Sequence, residues 1–180
     1  MTPVLRRVAN AAIVCLAAAV LIFNLHWILL GLASLVLVVA VCVLLTGWIG
    51  LWAFRLRHAM HGRDLLIVLS NSPHWQSHIE REWLSRWRER AVVLNWSERR
   101  SWHWWTPEVM LFRTSTGATE FNPVAIVVPP RFGRRTVIPF WRAFKDAKHG
   151  NDRALRLAEQ ALETALARAP AATLAARRAR

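Results

Sequence analysis

The first third of the chain is almost entirely apolar. From Ala11 to Phe54, only a few polar residues and glycines interrupt the apolar run. As a helix, these 44 residues would extend roughly 66 Å, about twice the ~30 Å hydrocarbon core of a bilayer. The pattern therefore predicts an integral membrane segment that crosses the bilayer twice.

The polar residues near the middle of this run predict a hairpin turn between two membrane-spanning helices. Asn24 and His26 come first, and Gly31 follows them. We expect the two spans to cover residues 8–25 and 30–52. A cleaved signal peptide is the alternative for the first span, and it would leave one span and place the body of the protein outside.

Basic residues indicate the orientation of this hairpin. Arg6 and Arg7 precede the first span, Arg55 and Arg57 follow the second, and the connecting loop has no Lys or Arg. Since cytoplasmic flanks carry the excess of Lys and Arg, both termini are expected in the cytoplasm. We expect a multi-pass protein of a bacterial inner (plasma) membrane.

Beyond the anchor, the chain is long enough for one small domain. We predict a membrane hairpin over residues 1–54, a cytosolic α/β domain over 55–169, and a basic, disordered tail over 170–180. All 11 acidic residues and 22 of the 24 Lys and Arg lie after Phe54, which gives this part a net charge of +11. The charge favours anionic lipid headgroups and a protein partner, and no nucleic-acid-binding pattern is present.

Short apolar runs and turn residues in the body predict a layered α/β domain. Ser72 is predicted to cap the first helix, with Pro73 at its first position. Pro107 starts a second helix, for which a strand is the alternative, and Asp152 caps the last one. The predicted strands are residues 64–69, 91–94, 124–128 and 136–140.

The resulting order β-α-β-α-β-β-α, with Asn122-Pro123 directly before the third strand, resembles the three-layer thioredoxin-like fold. In that superfamily the redox motif caps the first helix, often as Cys-Pro-His-Cys in bacterial disulfide oxidants. Here the same position reads Ser72-Pro73-His74-Trp75. The resemblance implies that Asn122-Pro123 matches the cis-proline that faces this motif.

If the resemblance holds, the chain is redox-inactive. Cys15 and Cys42, its only cysteines, both lie in the predicted spans, whereas thiol-disulfide exchange needs two sulfurs at the motif. We therefore expect a membrane-anchored adapter or interaction domain that is not an enzyme and uses no cofactor. The alternative is an enzyme similar to glutathione transferases, in which Ser70 or Ser72 activates the thiolate of glutathione, or another enzyme that binds a small anion with the loops after the first two strands.

Ligands of open α/β sheets bind at the carboxyl ends of the strands, where hydroxyls, amides and guanidiniums cluster in this sequence. The resemblance adds a proline as a platform for extended peptides. The predicted ligand-binding residues are Ser70, Asn71, Ser72, His74, Asn95, Ser97, Glu98, Arg99, Arg100 and Pro123. Capping and turn chemistry is the alternative for Ser72, and a solvated surface for the two arginines.

Two further segments combine aromatic and basic residues, a composition that suits a membrane surface or a protein partner. Core packing is the alternative for the aromatic residues. The predicted surface residues are Trp102, Trp104, Trp105, Arg142, Lys145 and Lys148. His74 and His78 have the i, i+4 spacing of a metal-binding pair, but no convincing third ligand accompanies them, and no metal site is predicted.

Overall fold

The computed structural model describes residues 3–117 and 122–169. The predicted tail, residues 170–180, and Phe121 lie outside these residues. The chain divides into two compact units, one ending at Leu44 and the other beginning at Leu45. The second unit thus starts before Arg55, the residue at which the sequence predicted the domain to begin.

Helix α1 runs without interruption from Pro3 to Arg57. The predicted hairpin turn is therefore not found, because residues 24–31 are helical throughout. The Asn24 side chain donates a hydrogen bond to the Val20 carbonyl at 2.8 Å, within the same helix. The segment has no proline, and one glycine is tolerated in a helix, so nothing in it forces the backbone to turn.

Among the described residues, one helix, α1, is long and apolar enough to cross a membrane. The most apolar part of this helix is not buried inside the protein. Side chains such as Leu21 and Leu44 are 70% and 72% exposed. The structure thus supports a membrane segment, but not the two separate spans that the sequence predicted.

The second unit contains a four-stranded sheet, so the predicted mixed α/β class is confirmed. The strands are β1 (Leu65–Leu69), β2 (Ala91–Asn95), β3 (Val124–Val127) and β4 (Thr136–Pro139). Their order in the sheet is β2-β1-β3-β4. Strand β1 is parallel to β2 and antiparallel to β3, and β4 is antiparallel to β3.

Among the described residues, four helical segments follow α1. Segment α2, residues 76–87, has a π-helical middle at Ile79–Leu84, and the later helices are α3 (Pro107–Thr116), α4 (Trp141–Lys148) and α5 (Arg153–Arg168). Short 3-10 turns cover Ala59–His61 and Trp96–Ser101. The helical interpretation of the segment after Pro107 is confirmed.

The predicted start of α2 is wrong by three residues. The first regular helical residue is Gln76, with Trp75 at the cap position, in place of Pro73 and Ser72. The Ser72 carbonyl accepts hydrogen bonds from the backbone N–H groups of Trp75 and Gln76 at 3.3 and 3.0 Å. These bonds form a separate turn ahead of the helix.

Helices cover both faces of the sheet. On one face, Leu65, Ile67 and Leu69 pack with α2, α4 and α5. On the other, Leu66 and Val68 pack with α3 and the end of α1. All residues of β1 are buried, as a continuous apolar run predicts for a central strand.

The end of α1 is part of the domain core. Phe54 is fully buried between Leu111, Phe112 and the sheet. At Gly50, an added Cβ would lie 2.8 Å from the Met110 Cβ and 3.2 Å from the Leu111 nitrogen. The backbones of α1 and α3 therefore approach each other closely at this glycine.

A buried ion pair ties the first strand to the last helix. Arg90 donates to both carboxylate oxygens of Asp64, at 2.9 and 2.7 Å, and Asp64 is fully buried. The same guanidinium donates to the carbonyls of Leu166 and Ala169 at 3.0 and 2.7 Å. Arg90 thus links the end of α5 to the residue that precedes β1.

Candidate functional site

The loops after β1 and β2 meet at the edge of the sheet where the sequence predicted a site. The Asn71 backbone N–H donates to the Ser97 hydroxyl at 3.0 Å. Ser70 is half-buried at the end of β1, and Asn71 is exposed. The structure therefore brings the two predicted loops into direct contact.

Most polar groups after β2 have partners within their own turn. The Asn95 side chain accepts from the Ser97 N–H at 3.0 Å and donates to Glu98 at 2.8 Å. The Arg99 guanidinium stacks 4.9 Å from the Trp96 ring. These contacts serve capping and packing, and Arg100 is exposed beside them.

The residues Ser72, Pro73, His74 and Trp75 form a turn beside aromatic side chains. The Ser72 hydroxyl lies 3.5 Å from the His74 backbone nitrogen. Trp75 packs 6.2 Å from Phe144, and its Nε1 is buried without a hydrogen-bond partner among the described residues. The end of this turn is thus packed by an indole ring.

The Asn122–Pro123 peptide bond is cis. Val68 pairs with Val124, so Pro123 lies at the same edge of the sheet as the loop after β1. Pro123 is buried, and its carbonyl accepts from the Phe140 N–H at 2.9 Å. That carbonyl is therefore already hydrogen-bonded within the domain.

A cleft of about 490 Å³ lies between α2, α4 and α5, and two predicted site residues, His74 and Lys148, line it. Glu159, which the sequence analysis missed, lies in its wall. It pairs with His78 at 2.8 Å and accepts from the Trp83 Nε1 at 3.0 Å. No local signal connects Glu159 to α2, because about eighty residues separate them.

The three predicted tryptophans after β2 occupy different environments. Trp102 is half-buried against Trp96 and Phe112, at ring distances of 5.8 and 5.9 Å. Trp104 and Trp105 are 63% and 59% exposed. His103 stacks on Trp105 at 4.9 Å. We call His103, Trp104 and Trp105 the aromatic patch.

The predicted basic residues of α4 lie on its exposed face. Lys145 stacks over Trp141 at 5.5 Å, and Arg142 is exposed on the same helix. Lys148 instead lines the cleft with Asp152 and Arg156. Lys148 is itself exposed, so it remains at the surface and borders the cleft.

Most predicted site residues thus belong to three groups: the joined loops at the sheet edge, the cleft, and the aromatic patch. Arg142 and Lys145 lie apart from these groups, on the exposed face of α4. The patch combines exposed indole rings with the neighbouring Arg100, a composition typical of protein-binding surfaces. Within residues 3–117 and 122–169, no group of three or more His, Cys, Asp and Glu side chains could hold a metal. Comparison with protein-family models, curated proteins and solved structures found no match.

Proposed function

We propose that the protein is a membrane-anchored, redox-inactive adapter whose domain is thioredoxin-like and binds a protein partner. A βαβ unit followed by an antiparallel hairpin supports the fold, with Pro123 directly before β3. Ser72 and Trp75 at the motif position support the loss of redox chemistry, because neither carries sulfur.

The anchor is α1. Trp27 and Trp48 bracket an uncharged apolar stretch of about 32 Å, which matches the ~30 Å hydrocarbon core with an indole at each interface. Arg55, Arg57 and the strongly basic body follow this stretch. The positive-inside rule therefore places the body in the cytoplasm, whether the remaining apolar residues before Trp27 cross the membrane or not.

We expect the chain to stay in the membrane pellet after alkaline carbonate extraction. In a chain with Cys15→Ser and Cys42→Ser, a cysteine at the exposed residue Leu157 should react with a membrane-impermeant maleimide only after cells are permeabilised. The same labelling at residue 2 reports on which side of the membrane that residue lies. Release by carbonate, or labelling of residue 157 in intact cells, would contradict the anchor proposal.

The adapter proposal rests on the exposure of the aromatic patch. Large exposed indoles are costly to leave in water, and they dominate binding energy where they are found at interfaces. Along α1, Gly47 faces Thr114, Gly50 faces Met110 and His58 pairs with Glu108. Helix α3 therefore runs antiparallel to the end of α1, and the patch precedes the end of α3 that lies beside His58.

We expect Trp104→Ala with Trp105→Ala to abolish partner capture from crosslinked membranes while leaving the unfolding transition nearly unchanged, because both side chains are exposed. Leu157→Ala, at another exposed apolar residue, is the matched control and should retain the partner. Equal capture by the double variant and the control would rule out the patch as the binding surface. Glutathione binding to the full chain would then be tested for the transferase alternative.

A further inference from the structure

The loop between β3 and β4 carries a large apolar side chain that is almost fully exposed. Phe132 is 88% exposed, the largest exposed fraction among the large apolar side chains of the described residues. Arg131 and Arg134 flank it and are exposed. An added Cβ at Gly133 would lie 3.1 Å from the Pro129 ring, so the loop folds back tightly on itself with Phe132 at its tip.

This loop is fixed to the end of α1. Arg55 is only 4% exposed, and its Nε donates to the Pro129 carbonyl at 3.2 Å. Its Nη2 donates to the Gly133 carbonyl. The same guanidinium stacks 5.0 Å from the Trp52 ring. The loop therefore has a defined position against the helix.

Phe132 continues a row of aromatic side chains along α1. Its ring lies 5.9 Å from Trp52 in an edge-to-face contact, and Trp52 lies 5.8 Å from Trp48. Trp48 is 63% exposed and marks the end of the apolar stretch nearest the domain. An exposed phenylalanine between arginines, next to interfacial tryptophans, has the composition of a segment that lies in the headgroup region.

We propose that the β3–β4 loop is a second membrane contact, in which Phe132 inserts at the boundary of headgroups and acyl chains while Arg131 and Arg134 bind anionic headgroups. The proposal rests on α1 being a membrane anchor. Basic residues near an anionic membrane surface are attracted to its headgroups. Together with α1, the loop would hold the domain in one orientation on the membrane.

The test uses the full chain in nanodiscs made from an equimolar mixture of phosphatidylglycerol and phosphatidylcholine. Three single-cysteine chains carry an environment-sensitive fluorophore, with the other native cysteines replaced by serine. The labelled positions are native Cys42 in α1, Phe132→Cys in the loop and Leu157→Cys on α5. Lipids with a doxyl quencher on the acyl chain report contact with the bilayer.

We expect the labels at residues 42 and 132 to be quenched severalfold more strongly than the label at residue 157. Arg131→Glu with Arg134→Glu, or nanodiscs of phosphatidylcholine alone, should reduce quenching at residue 132 and leave residue 42 unchanged.

Quenching at residue 132 no stronger than at residue 157, with residue 42 quenched, would overturn the loop proposal alone. An unquenched residue 42 would instead overturn the anchor on which it rests. Quenching at residue 132 that persists in phosphatidylcholine and in the glutamate variant would overturn the assignment of anionic lipid.

Discussion

Replacing Asp64 with alanine is expected to lower the free energy of unfolding by about 3–5 kcal/mol, the typical effect of removing one partner of a buried ion pair. Asp64 is fully buried, and the side chain of its partner Arg90 is only 25% exposed. The variant leaves this cation without its counter-charge, although the carbonyls of Leu166 and Ala169 still accept from it. Urea unfolding of the full chain in detergent, followed by tryptophan fluorescence, measures the change.

Arg86→Ala, in α2, is the control for the loss of a surface ion pair. Arg86 pairs with Glu82 and Glu163 at 3.4 and 3.3 Å, but all three side chains are at least half exposed. Surface ion pairs contribute about 0–1 kcal/mol, so this variant should unfold almost like the unsubstituted chain. If Asp64→Ala were no less stable than Arg86→Ala, Arg90 would not hold α5 against the sheet.

Replacing Gly50 with alanine is expected to lower the free energy of unfolding by about 1–3 kcal/mol, the usual cost of overpacking a tight contact. The new Cβ would lie 2.8 Å from the Met110 Cβ and 3.2 Å from backbone atoms of Met110 and Leu111. Because backbone atoms cannot move aside as a flexible side chain would, α1 must shift away from α3. The same urea unfolding experiment detects the loss.

Two other glycines of α1 provide controls for this substitution. At Gly47 the nearest atom to an added Cβ is the Thr114 Cβ at 3.4 Å, and at Gly31 nothing lies within 4 Å. Gly47→Ala should have a smaller effect than Gly50→Ala, and Gly31→Ala should not destabilise the domain. If all three variants were equally stable, the close approach at Gly50 would not matter for stability.

The sequence predicted the elements of the domain better than their contacts. Strand β1 was recognisable because a strand buried on both faces reads as a continuous apolar run. The partners of Asp64 and Trp83 were not recognisable, since Arg90 and Glu159 lie on other elements, at a separation that no helical or strand period relates. Local patterns identify elements, whereas buried polar pairs depend on how these elements pack.

The sequence also predicted a feature that the structure does not contain, the hairpin turn within α1. Asn24 and His26 indicated a turn because polar side chains are rare in an apolar run, but the Asn24 side chain donates a hydrogen bond to the Val20 carbonyl inside the helix.

The candidate site was predicted in part. The loops carrying Asn71 and Ser97 do meet, because parallel strands bring their carboxyl ends to one edge of the sheet. The cleft could not be predicted, because it depends on where α5 packs.

Site-specific photo-crosslinking in intact membranes tests the adapter proposal most directly. A benzophenone amino acid replaces Trp104 in one chain and Leu157, which is also exposed, in another. We expect residue 104 to give one discrete, near-stoichiometric protein adduct that residue 157 does not give and that Arg100→Glu weakens. The same adducts from both positions, or only lipid and self-crosslinked products from residue 104, would contradict the proposed function.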